Sequence, residues 1–238
     1  MHNLKNVPRC ENCKAFNDNC CMLAHVERGF LDQINDTKNI NFYPKGATIF
    51  YENNYPLGLF AIYKGKVKIF KTTENGKEYI LRLAKEGEVL GYRSLITGEK
   101  YEVSAQALED THVCFLSSSC FMNLLKQSNG LTKKVMESLS QELKIAEARL
   151  ADMTQKSVKE RVAETLLMLR NFYGLEDDNK TIKANLSRED LANMVGTATE
   201  TLIRSLAEFK EKKIVDLKGK KIILLNLSLL KSIANVQD

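Results

Sequence analysis

Four of the six cysteines of this chain lie close together near the N-terminus, in the segment RCENCKAFNDNCC (residues 9–21). Cys10 and Cys13 have the C-x2-C spacing with which thiolates bind zinc or iron–sulfur clusters. The adjacent pair Cys20 and Cys21 follows, and neighbouring cysteines do not easily bind one iron together. Thiols in this pattern can bind a metal, sense redox state or have no ligand, and the spacing alone leaves these alternatives open.

A second set of residues with chemical capability lies near the C-terminus. Arg204 can donate two hydrogen bonds to guanine O6 and N7, and Glu200 can accept one from cytosine N4. The aliphatic side chain of Ile203 suits the methyl group of thymine. Glu200 and Arg204 are also spaced i, i+4, so they could pair with each other on a solvated helix face. The two roles are compatible, because an ion pair in the free protein can preorganise side chains that later contact DNA.

Helix and turn signals around these residues predict the element that would position them. The capping boxes Ser187–Asp190 and Thr197–Glu200 predict two helices that begin ten residues apart, with Gly196 in the turn between them. Two alternating segments around Lys218-Gly219 predict a β-hairpin wing. The alternative is a generic helical hairpin with a β-tail, but the order and spacing of caps, turn and wing favour a winged helix-turn-helix. Its expected core consists of Leu191, Val195, Leu202, Leu206 and Phe209.

The residues before this motif predict two further helices. Residues 131–154 contain no Gly or Pro, and their apolar positions recur with the spacing of a heptad repeat. So narrow a stripe favours two helices packed along their length in a dimer over one helix packed on its own domain. The stripe consists of Met136, Leu139, Leu143, Ala146, Leu150 and Met153. The capping box Ser157–Glu160 begins another helix, which should end at Gly174.

The first half of the chain is rich in predicted strands. Glycines separate short segments of alternating polarity over residues 42–116, which predicts a small antiparallel barrel or sandwich. Asn75-Gly76 lies between two such segments, and we expect φ > 0 at both residues of a tight hairpin turn. The fold class predicted for the whole chain is therefore α+β.

The composition is that of a soluble globular protein with one or two domains, 44% hydrophobic and 27% charged over 238 residues. The start MHNLKNVPRC lacks the apolar region of a secretory signal, and the most apolar stretch, residues 222–230, is too short and too interrupted to span a bilayer. We therefore expect a cytoplasmic protein without a membrane partner, in which structural disulfides are rare. The net charge of +5 is compatible with a polyanionic partner.

From about residue 40 to residue 228 the chain resembles the cyclic-AMP receptor / fumarate-nitrate-reduction regulator (CRP/FNR) family of bacterial transcription factors. The resemblance lies in the segments YPKGATIFYENNYPLGLFAIYKGKVKIF, GEVLGYRSLITGEKYEVSAQALED and LSREDLANMVGTATETLIRSLAEF. It implies an N-terminal cyclic-nucleotide-binding-like antiparallel β-roll, a long dimerisation helix and a C-terminal winged helix-turn-helix domain. The corresponding boundaries are a cysteine-containing segment 1–28, a sensor roll 29–130, a dimerisation helix 131–156 and a DNA-binding domain 157–238.

The resemblance also implies a function. Members of the family are homodimers that bind palindromic operators in double-stranded DNA and recruit or obstruct RNA polymerase, so we expect a regulator and not an enzyme. The family's Glu-x-x-x-Arg recognition signature falls on Glu200 and Arg204. Thr199 stands where the receptor branch has Arg, and Ile203 where the oxygen-sensing branch has Ser, so the preferred operator should differ from both. The expected DNA-binding residues are Ser187, Arg188, Thr197, Thr199, Glu200, Thr201, Ile203, Arg204, Lys218 and Lys220.

Cyclic AMP is not the effector that these residues favour. Relatives that bind it carry a Glu for the ribose after the glycine equivalent to Gly91, and an Arg-Ser pair for the phosphate. This chain has Tyr92 at the first position and Tyr101-Glu102 at the second. An acidic side chain there would repel the phosphate, whose buried charge needs a cation or N–H donors. Arg93 lies nearby and could be a displaced anion ligand, but we favour a surface or interstrand cation, and another small ligand in the roll stays open.

The oxygen-sensing branch of the family instead holds a [4Fe–4S] cluster, with three cysteines spaced C-x2-C-x5-C and a fourth in the β-roll. The matching ligands here would be Cys10, Cys13, Cys20 and Cys114, in a loop one residue longer, with Cys21 as the alternative to Cys20. Zinc or a thiol redox sensor would use the same sulfurs. A regulator without a metal cofactor is the remaining alternative, in which Cys114 is a small buried apolar residue.

Two rival functions make different demands on the fold. A thiol oxidoreductase needs its C-x-x-C at a helix start within a βαβ unit, which the sequence does not predict around Cys10 and Cys13. A ligand-binding module without DNA contact would lack the winged helix.

Overall fold

The computed structural model describes residues 8–235 and divides the chain into two compact units, residues 1–143 and 144–238. Residues 1–7 of the predicted segment 1–28, and residues 236–238 of the predicted domain 157–238, lie outside the described residues. The division falls inside a long helix, and our four-segment division of the chain stays a prediction. Among the described helices, none combines the length and the apolar character that crossing a membrane requires.

Two four-stranded sheets form the centre of the first unit, and all their strand pairs are antiparallel. The strand orders are β1-β8-β3-β6 and β2-β7-β4-β5. The strands are β1 (Asn39–Tyr43), β2 (Thr48–Phe50), β3 (Gly58–Lys64), β4 (Lys66–Thr72), β5 (Glu78–Lys85), β6 (Val89–Leu90), β7 (Ser104–Ala107) and β8 (Thr111–Ser117). The predicted antiparallel β-roll is thus confirmed, and with the helices below so is the α+β fold class.

Alternate residues of both sheets fill one shared apolar core. Val67 and Ile69 of β4 meet Ile62 of β3 and Val113 of β8 in this core. Sheets that pack face to face bury every second side chain in this way.

The β4–β5 hairpin has a longer turn than predicted. Residues 73–77 connect the strands, with hydrogen bonds from Thr73 N to Lys77 O (2.9 Å) and from Gly76 N to Thr73 O (2.8 Å). Gly76 has φ +75°, but Asn75 is not among the residues with positive φ. The expectation of φ > 0 at both residues was therefore wrong. A single left-handed glycine after a turn adds one residue to the loop and still matches the twist of the strands.

The helices of the first unit cover the outer side of sheet β1-β8-β3-β6. They are α1 (Lys14–Asn17), α2 (Leu31–Thr37), α3 (Tyr92–Thr97), α4 (Ser118–Gln127) and residues 129–143 of α5 (Asn129–Gln155), with 3-10 turns at Cys10–Asn12, Met22–His25 and Arg28–Phe30. A second core forms beneath them, in which Ile34, Phe121 and Leu131 are fully buried. The N-terminal cysteine segment belongs to this core through Met22 and Leu23, so it is a packed part of the unit.

The second unit contains the predicted winged helix-turn-helix. Its elements are α6 (Val158–Tyr173), α7 (Arg188–Val195), α8 (Thr199–Glu211), β9 (Val215–Lys218), β10 (Lys221–Leu224) and α9 (Leu227–Ala234). The five predicted core residues Leu191, Val195, Leu202, Leu206 and Phe209 are all buried. Helix α9 was not predicted: β10 ends at Leu224, and the side chain of Asn226 accepts a hydrogen bond from Leu229 N (3.0 Å) to cap a new helix.

Two of the three predicted capping boxes form, and one does not. The boxes at Ser157 with Glu160 and at Ser187 with Asp190 have both of their hydrogen bonds. Thr197 does not cap α8, whose N-cap is Ala198 without a side-chain hydrogen bond. The reason is the tight turn before it: Gly196 (φ +72°) and Thr197 both donate their N–H to Ala192 O, so Thr197 still belongs to the end of α7.

Gly58 provides a test of the packing between β3 and β8. A Cβ atom at this position would lie 2.3 Å from the carbonyl oxygen of Leu116 and 2.5 Å from the ring of Phe115. Gly58→Ala should therefore lower the free energy of unfolding by about 1–3 kcal/mol, because the backbone of β8 cannot move without breaking its ladder. Gly29→Ala is the matched control, since nothing lies within 4 Å of its Cβ position. Equal thermal stabilities of the two variants would contradict this packing.

Candidate functional site

Helix α8 presents a row of polar and aliphatic side chains on the face opposite its buried side. Leu202, Leu206 and Phe209 point into the core of the second unit. Glu200 and Arg204 are exposed, and Ile203 between them is 50% exposed. Within residues 8–235 no ion pair joins Glu200 to Arg204, so the alternative of a surface pair is not realised in this conformation. The first turn of the helix also leaves backbone N–H groups available to an anion.

The wing is held next to the start of α7 by Arg188. Its guanidinium donates hydrogen bonds to the carbonyl oxygens of Gly219 (2.8 Å) and Lys220 (3.3 Å) in the β9–β10 turn. Partial burial lowers the pKa of Arg188 from its ordinary value. Arg188, expected to contact DNA, thus fixes the wing, while the side chains of Lys218 and Lys220 are exposed.

Ser187 and the threonines of the predicted set lie around the turn. The hydroxyl of Ser187 accepts from Asp190 N (2.9 Å) and donates to Asp190 Oδ2 (2.7 Å), so it serves the capping box. Thr197, Thr199 and Thr201 are half-buried at the start of α8. The predicted residues therefore differ in how free their side chains are: hydrogen bonds hold Ser187 and Arg188, whereas Lys218 and Lys220 are exposed.

Most of the predicted apolar stripe lies on the exposed side of α5. Leu143 and Leu150 are 61% and 68% exposed, and Met136 is 57% exposed. Ala146 and Met153 are exposed as well. Leu139 differs, because it packs partly onto the core of the first unit. Large apolar side chains exposed at this spacing are costly in water.

Four cysteines from distant positions line one cavity in the first unit. They are Cys10, Cys13, Cys21 and Cys114. Cys10 lies in the first 3-10 turn and Cys13 immediately precedes α1, while Cys114 lies on the central strand β8, opposite Ile40 of β1 and Ala61 of β3. Apolar side chains, among them Phe16 and Leu116, complete the wall together with Lys38.

The adjacent cysteines point to opposite sides. Cys21 is buried in the cavity wall, whereas Cys20 is exposed and its thiol donates to the carbonyl oxygen of Asp18 (3.5 Å). Extended backbone at Cys21 (φ −86°, ψ 133°) turns successive side chains apart. The structure thus brings together the alternative set with Cys21 and leaves Cys20 outside it. Cys120 is separate, in α4, where its sulfur lies 3.4 Å from Thr37 Oγ1.

The chemistry of this donor set fits a metal–thiolate group. Burial, together with a smaller contribution from the neighbouring cysteines, raises the pKa of Cys21 to about 12 and that of Cys114 to about 11. Without a bound cation these thiols are therefore neutral at physiological pH, and a metal would displace their protons. In the described part of the chain, no three Cys, His, Asp or Glu side chains converge on the position of one metal ion. Each sulfur of an iron–sulfur cluster binds a different iron, so a cluster tolerates a wider set of sulfurs than zinc does.

Aromatic side chains occupy the positions compared with those of cyclic-AMP-binding relatives. Tyr92 is 2% exposed, and burial together with the nearby carboxylate of Glu142 raises its pKa above the usual range. Tyr101 is buried and stacks on Phe50 with ring centroids 4.2 Å apart. Arg93 is an exposed cation, 3.9 Å from Glu102.

Sequence reasoning missed two residues of the thiol region. Lys38 is buried and donates to Cys10 Sγ (3.1 Å), although a lysine after a helix ordinarily indicates a solvated C-terminal cation. Glu27 accepts a hydrogen bond from Gly130 N (3.2 Å) at the start of α5. Hydrogen bonds from Ser128 and the adjacent backbone lower the pKa of Glu27. Neither contact has a signal in the local sequence, because each joins residues far apart in the chain.

The rival functions can be weighed against this geometry. Cys10 and Cys13 flank a 3-10 turn, and the described sheets of this unit contain only antiparallel pairs, so the parallel βαβ unit of a thiol oxidoreductase is not found there. The winged helix, which a pure ligand-binding module would lack, is present.

Two segments of the chain match known domain families, and the chain is similar to named regulatory proteins. Residues 40–128 match the cyclic nucleotide-binding domain family and residues 160–233 the Crp-like helix-turn-helix domain family. The chain is 29% identical to the fumarate and nitrate reduction regulatory protein of Vibrio cholerae, over 90% of this chain and 85% of that one. It is 30% identical to the anaerobic regulatory protein of Bacillus subtilis, over 76% of this chain and 77% of that one.

A solved structure supports the fold independently of sequence. The crystal structure of a transcriptional regulator assigned to the crp/fnr family from Eubacterium rectale superposes with a TM-score of 0.78, covering 92% of this chain and 100% of that one at 20% identity. The roll, the long helix and the winged helix-turn-helix, together with these sequence matches, identify the chain as a member of the CRP/FNR family of DNA-binding transcription regulators.

Proposed function

We propose that this regulator acts as a homodimer, reads a palindromic operator with α8, and responds to a metal–thiolate centre in its first unit. The observation that carries the sensing part is the convergence of Cys10, Cys13, Cys21 and Cys114 on one cavity. The observation that carries the DNA-reading part is the exposed row Glu200, Ile203 and Arg204 on a helix whose other face is buried.

The proposed base contacts come from the N-terminal half of α8. This half of the second helix enters the major groove in helix-turn-helix proteins, so Thr199, Glu200, Ile203 and Arg204 would meet base edges. Exposed Lys218 and Lys220 on the wing, with the N–H groups of Thr199 to Thr201 in the first turn of α8, suit phosphates, which fix the register of the protein on the duplex. Ser187 and Arg188 act indirectly in this proposal, through the cap of α7 and the position of the wing.

Arg204→Ala tests the base contact. Loss of the bidentate bond to guanine should weaken operator binding by about 1–3 kcal/mol and relax the preference at one base of each half-site. Lys212→Ala, an exposed cation at the opposite end of α8, is the matched control and should change affinity little. The measurement is a titration of fluorescent cognate and random duplexes at fixed salt. If Arg204→Ala keeps the parent's preference for the cognate duplex, the assignment of the recognition face is wrong.

The proposed dimer forms along the stripe Met136, Leu139, Leu143, Ala146, Leu150 and Met153. Its support is the exposure of most of these side chains in a single subunit, at the spacing that parallel or antiparallel helix pairs bury. A twofold dimer of this kind presents two copies of α8, which is why we propose a palindromic operator. RNA polymerase as a partner and a cytoplasmic location follow from the regulator class and are part of the same proposal.

Leu143→Asp tests the dimer. A carboxylate at the centre of the stripe would have to lose its hydration without a partner, so the variant should be monomeric at concentrations where the parent is dimeric. Gln141→Asp adds the same group on another face of α5 and should leave the dimer intact. Sedimentation velocity distinguishes the two. A tight dimer of Leu143→Asp would refute the stripe as the interface.

We propose a [4Fe–4S] cluster as the resident group, bound by Cys10, Cys13, Cys21 and Cys114, with zinc as the alternative outcome of the same test. Soft thiolates suit both, and an apolar cavity that excludes water protects a cluster from solvent. When bound, the cluster would supply sensitivity to oxygen or redox state. The chain's own residues would hold it between the N-terminal segment and β8. Cyclic AMP is not the proposed effector, because Tyr101 and Glu102 stand at the phosphate position and buried Tyr92 at the ribose position, so the phosphate position supplies no cation.

The adjacent cysteines provide a matched pair of variants for this site. Cys21→Ser should lose the metal because its sulfur lies in the cavity wall, and Cys20→Ser should retain it because its sulfur is exposed. The measurement is iron and zinc content with an absorption spectrum after anaerobic purification. A brown parent that bleaches in air indicates the cluster, and a colourless parent with one zinc indicates a zinc site. A parent with neither metal would contradict the proposed centre, and retention by Cys21→Ser with loss by Cys20→Ser would overturn the ligand set.

A further inference from the structure

The cavity lined by the four cysteines also contains a buried lysine. Lys38 follows the last residue of α2, where its N–H donates to Ile34 O (2.9 Å), and it precedes β1. Only 8% of Lys38 is exposed, and its Nζ donates to Cys10 Sγ at 3.1 Å. Its charge also acts on the cysteine of β8, where it partly opposes the rise in the pKa of Cys114 that burial causes.

A buried ammonium group needs an anion close by. Taking it out of water costs several kcal/mol unless a paired negative charge offsets the loss of hydration. Among residues 8–235 no carboxylate lies within 4.0 Å of Lys38 Nζ. The other buried lysine of this unit, Lys68, meets the requirement in the usual way, because it forms an ion pair with Glu78. At hydrogen-bond distance Lys38 has the sulfur of Cys10 where Lys68 has a carboxylate, and the carboxylate of Glu11 acts on Lys38 only from a greater distance.

An uncharged group does not meet this requirement, whereas metal-bound thiolates would. Four thiolates carry more negative charge than Zn²⁺ or a [4Fe–4S]²⁺ core offsets, so a centre bound by four cysteines is an anion. An N–H donor to a ligand sulfur and a nearby positive charge stabilise such a centre and make its reduction easier. Lys38 lies where its ammonium group would supply both the N–H donor and the positive charge to the sulfur of Cys10.

We propose that Lys38 is the counter-cation of the metal–thiolate centre, a positioning residue that holds Cys10 and offsets the negative charge of the four thiolates. This inference rests on the proposed function and deepens it. It explains why a charge lies in an otherwise apolar cavity, and it requires the resident group to be anionic. It also gives the metal-free and metal-loaded forms opposite responses to the loss of this charge.

Lys38→Met removes the charge and keeps most of the stem, and Lys38→Arg keeps the charge and a donor. In the full chain loaded anaerobically, Lys38→Met should lower metal affinity by about 10–100-fold, the usual effect of losing a partner of a metal ligand. Lys38→Arg should retain most of the affinity. In the chelator-treated reduced protein, Lys38→Met should melt at the same or a higher temperature, because a buried charge that no carboxylate contacts directly has gone. If the centre is the iron–sulfur cluster, its reduction potential should become more negative in Lys38→Met.

The control is Lys71→Met, which removes an exposed lysine from β4 and should leave affinity and potential unchanged. Metal affinity is measured by chelator competition, the potential by an anaerobic redox titration, and stability by thermal denaturation monitored by circular dichroism. If Lys38→Met does not fold, Lys38→Gln also lacks the charge and carries the same expected loss. A parent that binds metal, with Lys38→Met matching Lys71→Met in affinity, overturns the inference while the proposed centre stands. A parent that binds neither iron–sulfur nor zinc overturns both.

Discussion

The N-terminal segment packs against sheet β1-β8-β3-β6, and the cavity lined by four cysteines depends on that contact. Met22 and Leu23 enter the same core as Leu116 of β8 and Phe121 of α4. This packing brings Cys10, Cys13 and Cys21 to Cys114, although the last lies far along the chain. Since the wall is mostly apolar, the thiols and the single ammonium group of Lys38 interact strongly with one another and weakly with water.

The same segment also contacts the start of α5. Glu27 caps the helix through Gly130 N, and Gly130 itself has no room for a side chain, because a Cβ there would lie 2.2 Å from His25 O. The first N–H groups of a helix have no partner within the helix. Here the carboxylate of Glu27, in the cysteine segment, accepts the hydrogen bond of one of them. The thiol cavity and the helix that carries the apolar stripe are therefore joined by direct contacts within the first unit.

The second unit separates its structural and its exposed residues cleanly. One face of α8 is buried among Leu191, Val195 and the wing strands, so the orientation of the opposite face is determined by packing. Arg188 holds the β9–β10 turn, and Asp190 completes the cap of α7. Rigid placement of a few exposed side chains is what base readout requires, because each hydrogen bond to a base edge tolerates little displacement.

The sequence by itself determined the α+β class, the antiparallel roll, the long helix and the winged helix-turn-helix. These features follow from periodicity, glycine positions and caps, which are local properties of the chain. Two predictions of local structure from the sequence were wrong. Ala198, and not Thr197, is the N-cap residue of α8, because the N–H of Thr197 belongs to the turn that ends α7. Asn75 does not adopt positive φ, because the β4–β5 turn is longer than expected. Helix α9 was missed because its apolar residues continue those of β10 without a break in pattern.

Only the tertiary structure decided which cysteines meet. From the spacing alone, either Cys20 or Cys21 could be the third metal ligand. The direction of each side chain depends on how the segment lies against β8. Burial of Lys38 and the cap from Glu27 likewise arise from contacts between residues distant in sequence, for which no local pattern exists. The periodicity of apolar residues predicts which face of a helix or strand is buried. The hydrogen-bond partner of a buried polar group is determined only when the helices and strands pack together.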